Sequence, residues 1–91
     1  MKNNELETCV NEKLNSQAFS DYAPNGLQVE GRLTVKKVVT GVTACQALLD
    51  EAVRLEADAV IVHHGYFWKN ESPIIRGMKR NRLKTLLAND I

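Results

Sequence analysis

The apolar residues of this chain change spacing from one stretch to the next, and the changes mark out elements. Leu6, Cys9, Val10 and Leu14 recur at helical steps, which predicts a first helix capped by Asn3 or Asn4 and fading near Asn15-Ser16. Val35-Lys36-Lys37-Val38-Val39-Thr40-Gly41-Val42 is β-branched and reads as a first strand. Thr43-Ala44-Cys45-Gln46 then has the form of a capping box, with Thr43 at the N-cap. It opens a helix whose buried face is expected to carry Ala44, Ala47, Leu48, Ala52 and Leu55. Asp58 to Val62 supply a second strand. A third helix is predicted from Arg76 to Ala88, with Met78, Leu83, Leu86 and Leu87 as its buried stripe.

Strand, helix and strand follow each other within roughly thirty residues, the dimension of a βαβ unit, so the two strands are expected to be parallel. The fold class is α/β. Between the first helix and the first strand, residues 20–33 contain a proline and two glycines. Pro24-Asn25-Gly26 fits a tight turn in which Asn25 or Gly26 takes positive φ. At the other end, Asn89-Asp90 reads as a turn leading into a third strand at Ile91. A parallel sheet needs more than two strands and helices over both faces. Residues 1–91 are therefore expected to be the N-terminal portion of a larger α/β domain, marginally stable or aggregation-prone in isolation.

Composition narrows the function. An apolar fraction of 44% and a charged fraction of 25% are those of an ordinary soluble globular domain. Twelve basic and eleven acidic residues leave a net charge of +1, which argues against a nucleic-acid or membrane-surface binder. No apolar run approaches the ~20 residues that span a bilayer, and the polar start Met1-Lys2-Asn3-Asn4-Glu5 shows no secretory signal. The expected location is the cytoplasm. Cys9 and Cys45 form no C-x-x-C pair, each falls on a predicted helix, and both are expected to be reduced core residues. In that compartment the Asn70-Glu71-Ser72 sequon has no consequence.

The chemistry concentrates at His63 and His64, the only histidines, which follow the apolar run Ala59-Val60-Ile61-Val62 and precede Gly65. The C-terminal ends of strands are where open α/β sheets collect ligand sites. Neighbouring strand side chains point to opposite faces, so two adjacent histidines do not readily grip one ion from one side. At a strand end the rings can splay toward two points, such as a pair of metal ions about 3.5–4 Å apart. Imidazole is a common ligand for divalent ions of this kind. A surface or hydrogen-bonded structural pair fits the same pattern, and the spacing matches no helical zinc-protease signature.

Three segments together carry a family resemblance: Ser20-Asp21-Tyr22-Ala23-Pro24-Asn25-Gly26-Leu27-Gln28-Val29-Glu30-Gly31, Val39-Thr40-Gly41-Val42-Thr43 and Val60-Ile61-Val62-His63-His64-Gly65. The chain resembles the N-terminal part of the GTP cyclohydrolase 1 type 2 homologs, also called Ngg1-interacting-factor-3-like proteins, over essentially its whole length. The resemblance implies a longer cytoplasmic protein of two α/β parts that assembles into a toroidal homohexamer. It also implies a centre of two divalent ions, of the iron, zinc or manganese type, facing an internal cavity, with His63 and His64 each directed at one ion. The remaining ligands of the family are an aspartate after the third strand and a histidine and glutamate near the C-terminus. All would lie beyond Ile91, and Asp21, Asp58, Glu71 and Asp90 have no motif that would let them substitute. The 91 residues alone are thus expected to bind metal weakly and to be inactive.

Other features have plain readings. Gly41 could receive a phosphate at the following helix N-terminus, but a tight turn explains it as well. Arg76, Lys79, Arg80, Arg82 and Lys84 read as a solvated helix face. Tyr66, Phe67 and Trp68 suit either base stacking or packing. No Ser-His-Asp or Cys-His arrangement can be nominated, so no catalytic residue is assigned. Two function classes follow: a dinuclear metal-dependent hydrolase acting on a small molecule such as a nucleotide, or a non-enzymatic, ring-forming metal-binding scaffold.

Overall fold

The computed structural model describes residues 1–18, 25–65, 67 and 71–91, and Gln17 among these by its backbone only. Along the chain run helix α1 (Asn3–Leu14), a 3-10 turn (Ser16–Ala18), strand β1 (Val38–Thr43), helix α2 (Gln46–Arg54), strand β2 (Ala59–His64) and helix α3 (Met78–Ala88). β1 and β2 pair in parallel, from Val38 opposite Ala59 to Thr43 opposite His64, with α2 as the crossover between them. The α/β class and the βαβ unit expected from the sequence are both present.

The N-terminus of α1 corrects the expected cap. Lys2, in extended conformation, is the N-cap and Asn3 is already helical. The cause is tertiary: Lys2 bridges Thr34, the Asn3 N–H donates to the Leu33 carbonyl at 2.7 Å, and the Val35 N–H donates to the Met1 carbonyl at 2.7 Å. These bonds hold residues 1–2 straight and start the helix directly after them. α1 ends at Asn15 in the left-handed region (φ 50°), at the point where the sequence predicts its fading. Its apolar stripe is not covered. Leu6 and Val10 are half-buried, whereas Cys9 and Leu14 are exposed. Cys9 is therefore not a core residue, and Cys45 is half-buried just ahead of α2.

β1 starts three residues later than predicted. The Lys36 and Lys37 N–H groups donate to Asp58 Oδ2 at 2.8 and 2.9 Å, so they are turned away from ladder pairing. At its other end β1 runs through Thr43, which pairs with His64 and so cannot cap a helix. Cys45 takes the N-cap position instead, with no side-chain cap bond, and Gln46 is the first helical residue rather than the third. The buried face of α2 also differs from the expected one. Leu49 is 2% exposed and Ala52 is fully buried, while Ala47 and Leu55 of the expected stripe lie outside.

β2 extends two residues further than predicted and contains both histidines. α3 begins at Met78, not Arg76, because Gly77 takes φ 62° at the N-cap. Leu83 and Leu86 are buried as expected, but Met78 is 66% and Leu87 is 59% exposed. Leu87 is turned by one residue from the buried line, and Met78 lies on the first turn. After α3, Asp90 adopts φ 53° and the Ile91 N–H donates back to the Leu86 carbonyl at 3.0 Å. The expected turn at Asn89-Asp90 is thus present, and it delivers Ile91 into the core.

That core joins Ala44, Leu49, Leu83, Leu86 and Ile91, with Val29, Val53, Val60, Val62 and Phe67 packed against it. Gly26 has φ 99°, so of the two candidates for the left-handed position it is the glycine that takes it; Pro24 lies outside the described residues. Among the described residues no helix is long and apolar enough to cross a membrane.

Candidate functional site

His63 and His64 are the last two residues of β2, at the C-terminal edge of the parallel pair, and both are exposed. Their ring centroids are 4.3 Å apart with an interplanar angle of 61°. The backbone beneath them is held firmly. His64 pairs with Thr43 in the ladder, and its carbonyl accepts the Ala44 N–H at 2.8 Å. On the other side of the pair, Gly65 lies against the Gln28 carboxamide, whose Cδ is 3.1 Å from the position a β-carbon on Gly65 would take. The edge therefore presents two imidazoles on a backbone fixed from both directions.

Among the described residues no group of three or more His, Cys, Asp or Glu side chains is placed to hold an ion. Of the carboxylates considered from the sequence, Asp58 and Glu71 are engaged elsewhere. Asp58, at the opposite end of β2, accepts from the Lys36 and Lys37 N–H groups and pairs with Arg32 at 3.1 Å. These donors, the two backbone N–H groups first, hold its carboxyl below the usual range. Glu71 approaches the Lys79 ammonium at 3.7 Å. Asp90 anchors Arg32 through its backbone carbonyl. Asp21 lies outside the described residues. The donor set fits part of a metal centre: two exposed imidazoles at close range.

The remaining sequence candidates resolve into structure. Gly41 faces Leu48 of α2, whose Cδ2 lies 2.5 Å from where a β-carbon would stand, so close helix packing accounts for the glycine. In the basic run, Arg76, Arg80 and Lys84 are exposed and Lys79 and Arg82 half-buried. The Lys79 ammonium lies 5.0 Å from the centroid of the Phe67 ring and donates to the Ser72 carbonyl, which ties the loop to α3. Phe67 packs on the core; Tyr66 and Trp68 lie outside the described residues. A shallow depression along α1 is lined by that helix's own Asn4, Glu5, Thr8, Cys9, Glu12 and Lys13. It brings no second element to bear on a ligand.

Two contributors escape the sequence reading. Asp58 enters it as the first residue of the second strand and as a carboxylate without a metal motif, although an aspartate just before a strand is a ready acceptor for backbone N–H groups. Gln28 stands inside a quoted motif with no role. The glycine directly after the histidines is the available signal for a close approach there.

A parallel βαβ unit with an exposed histidine pair at its C-terminal edge places the chain among α/β proteins. The chain belongs to the Duf34/NIF3 (NGG1p interacting factor 3) family, whose model matches residues 1–91. It is 85% identical over all 91 residues to the GTP cyclohydrolase 1 type 2 homolog of Escherichia coli K12, and 70% identical to that of Yersinia pestis. In both cases it covers 37% of the relative, so the chain spans just over a third of the length of the curated proteins it matches. Among solved structures it superposes on protein ybgI, described as of unknown function, with a TM-score of 0.97 at 84% identity, covering 99% of this chain and 36% of that one. On TTHA1606 from Thermus thermophilus the TM-score is 0.95 at 42% identity, covering 100% and 38%. Reduced HcgD from Methanocaldococcus jannaschii shares the fold, with a TM-score of 0.87 at 24% identity, over 100% of this chain and 37% of that one.

Proposed function

We propose that His63 and His64 supply one side of a dinuclear divalent-metal centre in a metal-dependent hydrolase acting on a small molecule of nucleotide type. The observation that carries this reading is the placement of two adjacent, exposed imidazoles at the C-terminal end of a parallel strand, where open α/β sheets collect ligand sites. Each ring can reach a different ion while the backbone at His64 stays held by Thr43 and Ala44. Ions held in this way lower the pKa of a bound water and polarise a substrate oxygen. The family resemblance assigns the other ligands, an aspartate, a histidine and a glutamate, to sequence outside these 91 residues. The name of the Escherichia coli and Yersinia pestis relatives makes GTP the first substrate to try. Cytoplasmic location and a homohexameric ring belong to the same proposal.

The test uses the full-length protein. H63A and H64A should each lose roughly one metal equivalent per chain by elemental analysis, as expected of ligands to separate ions in a two-metal site. Full metal content in both variants would overturn the reading. A metal-loaded wild-type protein that turns over no nucleoside triphosphate would instead support the binding-scaffold class.

A further inference from the structure

We propose that Gln28 is a positioning residue for the His63–His64 pair, an inference that rests on the metal-centre reading above. Gln28 is distant from the pair in sequence, but its neighbour Val29 packs against the core and brings the segment across the C-terminal edge of the sheet. The Gln28 side chain passes so close to Gly65 that its Oε1 occupies the space of a β-carbon there, with Cδ and Nε2 at 3.1 and 3.2 Å from that position. Gly65 does not have positive φ, unlike Gly26 and Gly77. Backbone freedom therefore gives no reason for a glycine at this point; the approach of the carboxamide does.

The consequence falls on the imidazoles. Where the two rings point is set by the backbone on either side of them. Upstream, the Thr43 pairing and the Ala44 N–H bond fix His64 to β1. Downstream, where the chain leaves β2, the Gln28 carboxamide fills the space beside the residue that directly follows His64. Removing its side chain frees that exit and with it the relative direction of the two rings. Groups that orient ligands without touching the ion typically change metal affinity about tenfold to a hundredfold.

The experiment compares Q28A, Q28M, G65A and Q28A/G65A in the full-length protein by zinc titration, elemental analysis and thermal melting. Q28A is expected to weaken zinc binding about tenfold with a melting temperature close to wild type. Q28M, which keeps the length and volume of the side chain, should restore it. G65A should bind zinc poorly because a methyl group collides with the carboxamide, and Q28A/G65A should bind better than G65A alone. Wild-type affinity in Q28A would overturn the proposal, as would losses that merely track the melting temperature across the set. If G65A does not fold, the Q28A and Q28M pair decides. Wild-type zinc affinity in both H63A and H64A would mean that the metal reading had failed instead. Crystal structures of metal-free wild type and Q28A then test positioning by itself, and an unchanged ring separation in Q28A would refute it.

Discussion

Arg32 and Asp58 form an ion pair at 3.1 Å that joins the segment before β1 to the turn before β2. The same carboxylate accepts the Lys36 and Lys37 N–H groups, and Arg32 also donates to the Asn89 and Asp90 carbonyls after α3. Three parts of the chain thus meet at the Arg32–Asp58 pair. The backbone donors hold the Asp58 pKa below its ordinary 3.8, with the charge of Arg32 adding to the effect. A lowered folded-state pKa means the contribution is fully present above about pH 4–5 and is lost as pH falls through 3.8 and below. The melting temperature of the wild type should therefore drop on acidification in that window. D58N should melt lower at neutral pH and show a shallower acid limb; parallel acid limbs would remove Asp58 from this role.

Leu49 is the most thoroughly buried large side chain of the core. L49A is expected to cost about 2–5 kcal/mol, the range for emptying a buried leucine site, measured by urea denaturation. L87A, by contrast, should cost little, because Leu87 is 59% exposed.

The contact of Gly41 with Leu48 gives a coupled pair. G41A should destabilise by about 1–3 kcal/mol through overpacking, since the Leu48 methyl carbon occupies the required space. G41A/L48A should be less destabilised than the sum of the single changes, because the second substitution removes the collision. Additive losses would show that Leu48 simply moves aside.

What the sequence displays, and what it conceals, follows from the range of each interaction. The βαβ unit is legible because the β-branched runs and the helix between them are local patterns. The position of His63 and His64 is legible for the same reason, as they directly follow such a run. Element ends are not, because distant partners decide them. Thr43 has the chemistry of an N-cap, but its backbone pairs with His64. Lys36 and Lys37 have strand neighbours, but their N–H groups go to Asp58. The stripe of α1 has helical spacing, yet no buried residue. Gln28 is legible only as part of a motif, and Gly65 signals a close approach without naming its partner, since the two are far apart along the chain.

Metal removal should leave the fold intact. The imidazoles are exposed, whereas the strand pairing at His64 uses only its backbone. Chelation of the full-length protein is expected to leave the far-ultraviolet circular dichroism spectrum unchanged. At about 100 times the dissociation constant, added ion should raise stability by about 2.7 kcal/mol. Loss of helical signal on chelation would contradict this.

The 91-residue polypeptide on its own should behave poorly. Among the described residues its sheet has two strands, and Val42, Ile74, Met78 and Leu87 are exposed. Such sheets are marginal, and open strand edges invite association. A broad melt and concentration-dependent aggregation are expected by calorimetry and light scattering. A sharp cooperative melt together with tight binding of two ions per chain would overturn the expectation.

The phase of the β1–β2 ladder makes the two histidines non-interchangeable. Because side chains alternate along a strand, a slip of one residue against Val38–Thr43 would swap every outward and inward position of Ala59–His64. Val60 and Val62 would leave the core, and His63 and His64 would exchange the directions in which they look out. The crossover from Thr43 to Ala59 can thus accept extra residues only where they bulge into solvent, around Leu55 and Glu56. One residue inserted within β2 would keep the composition of the site and scramble its address.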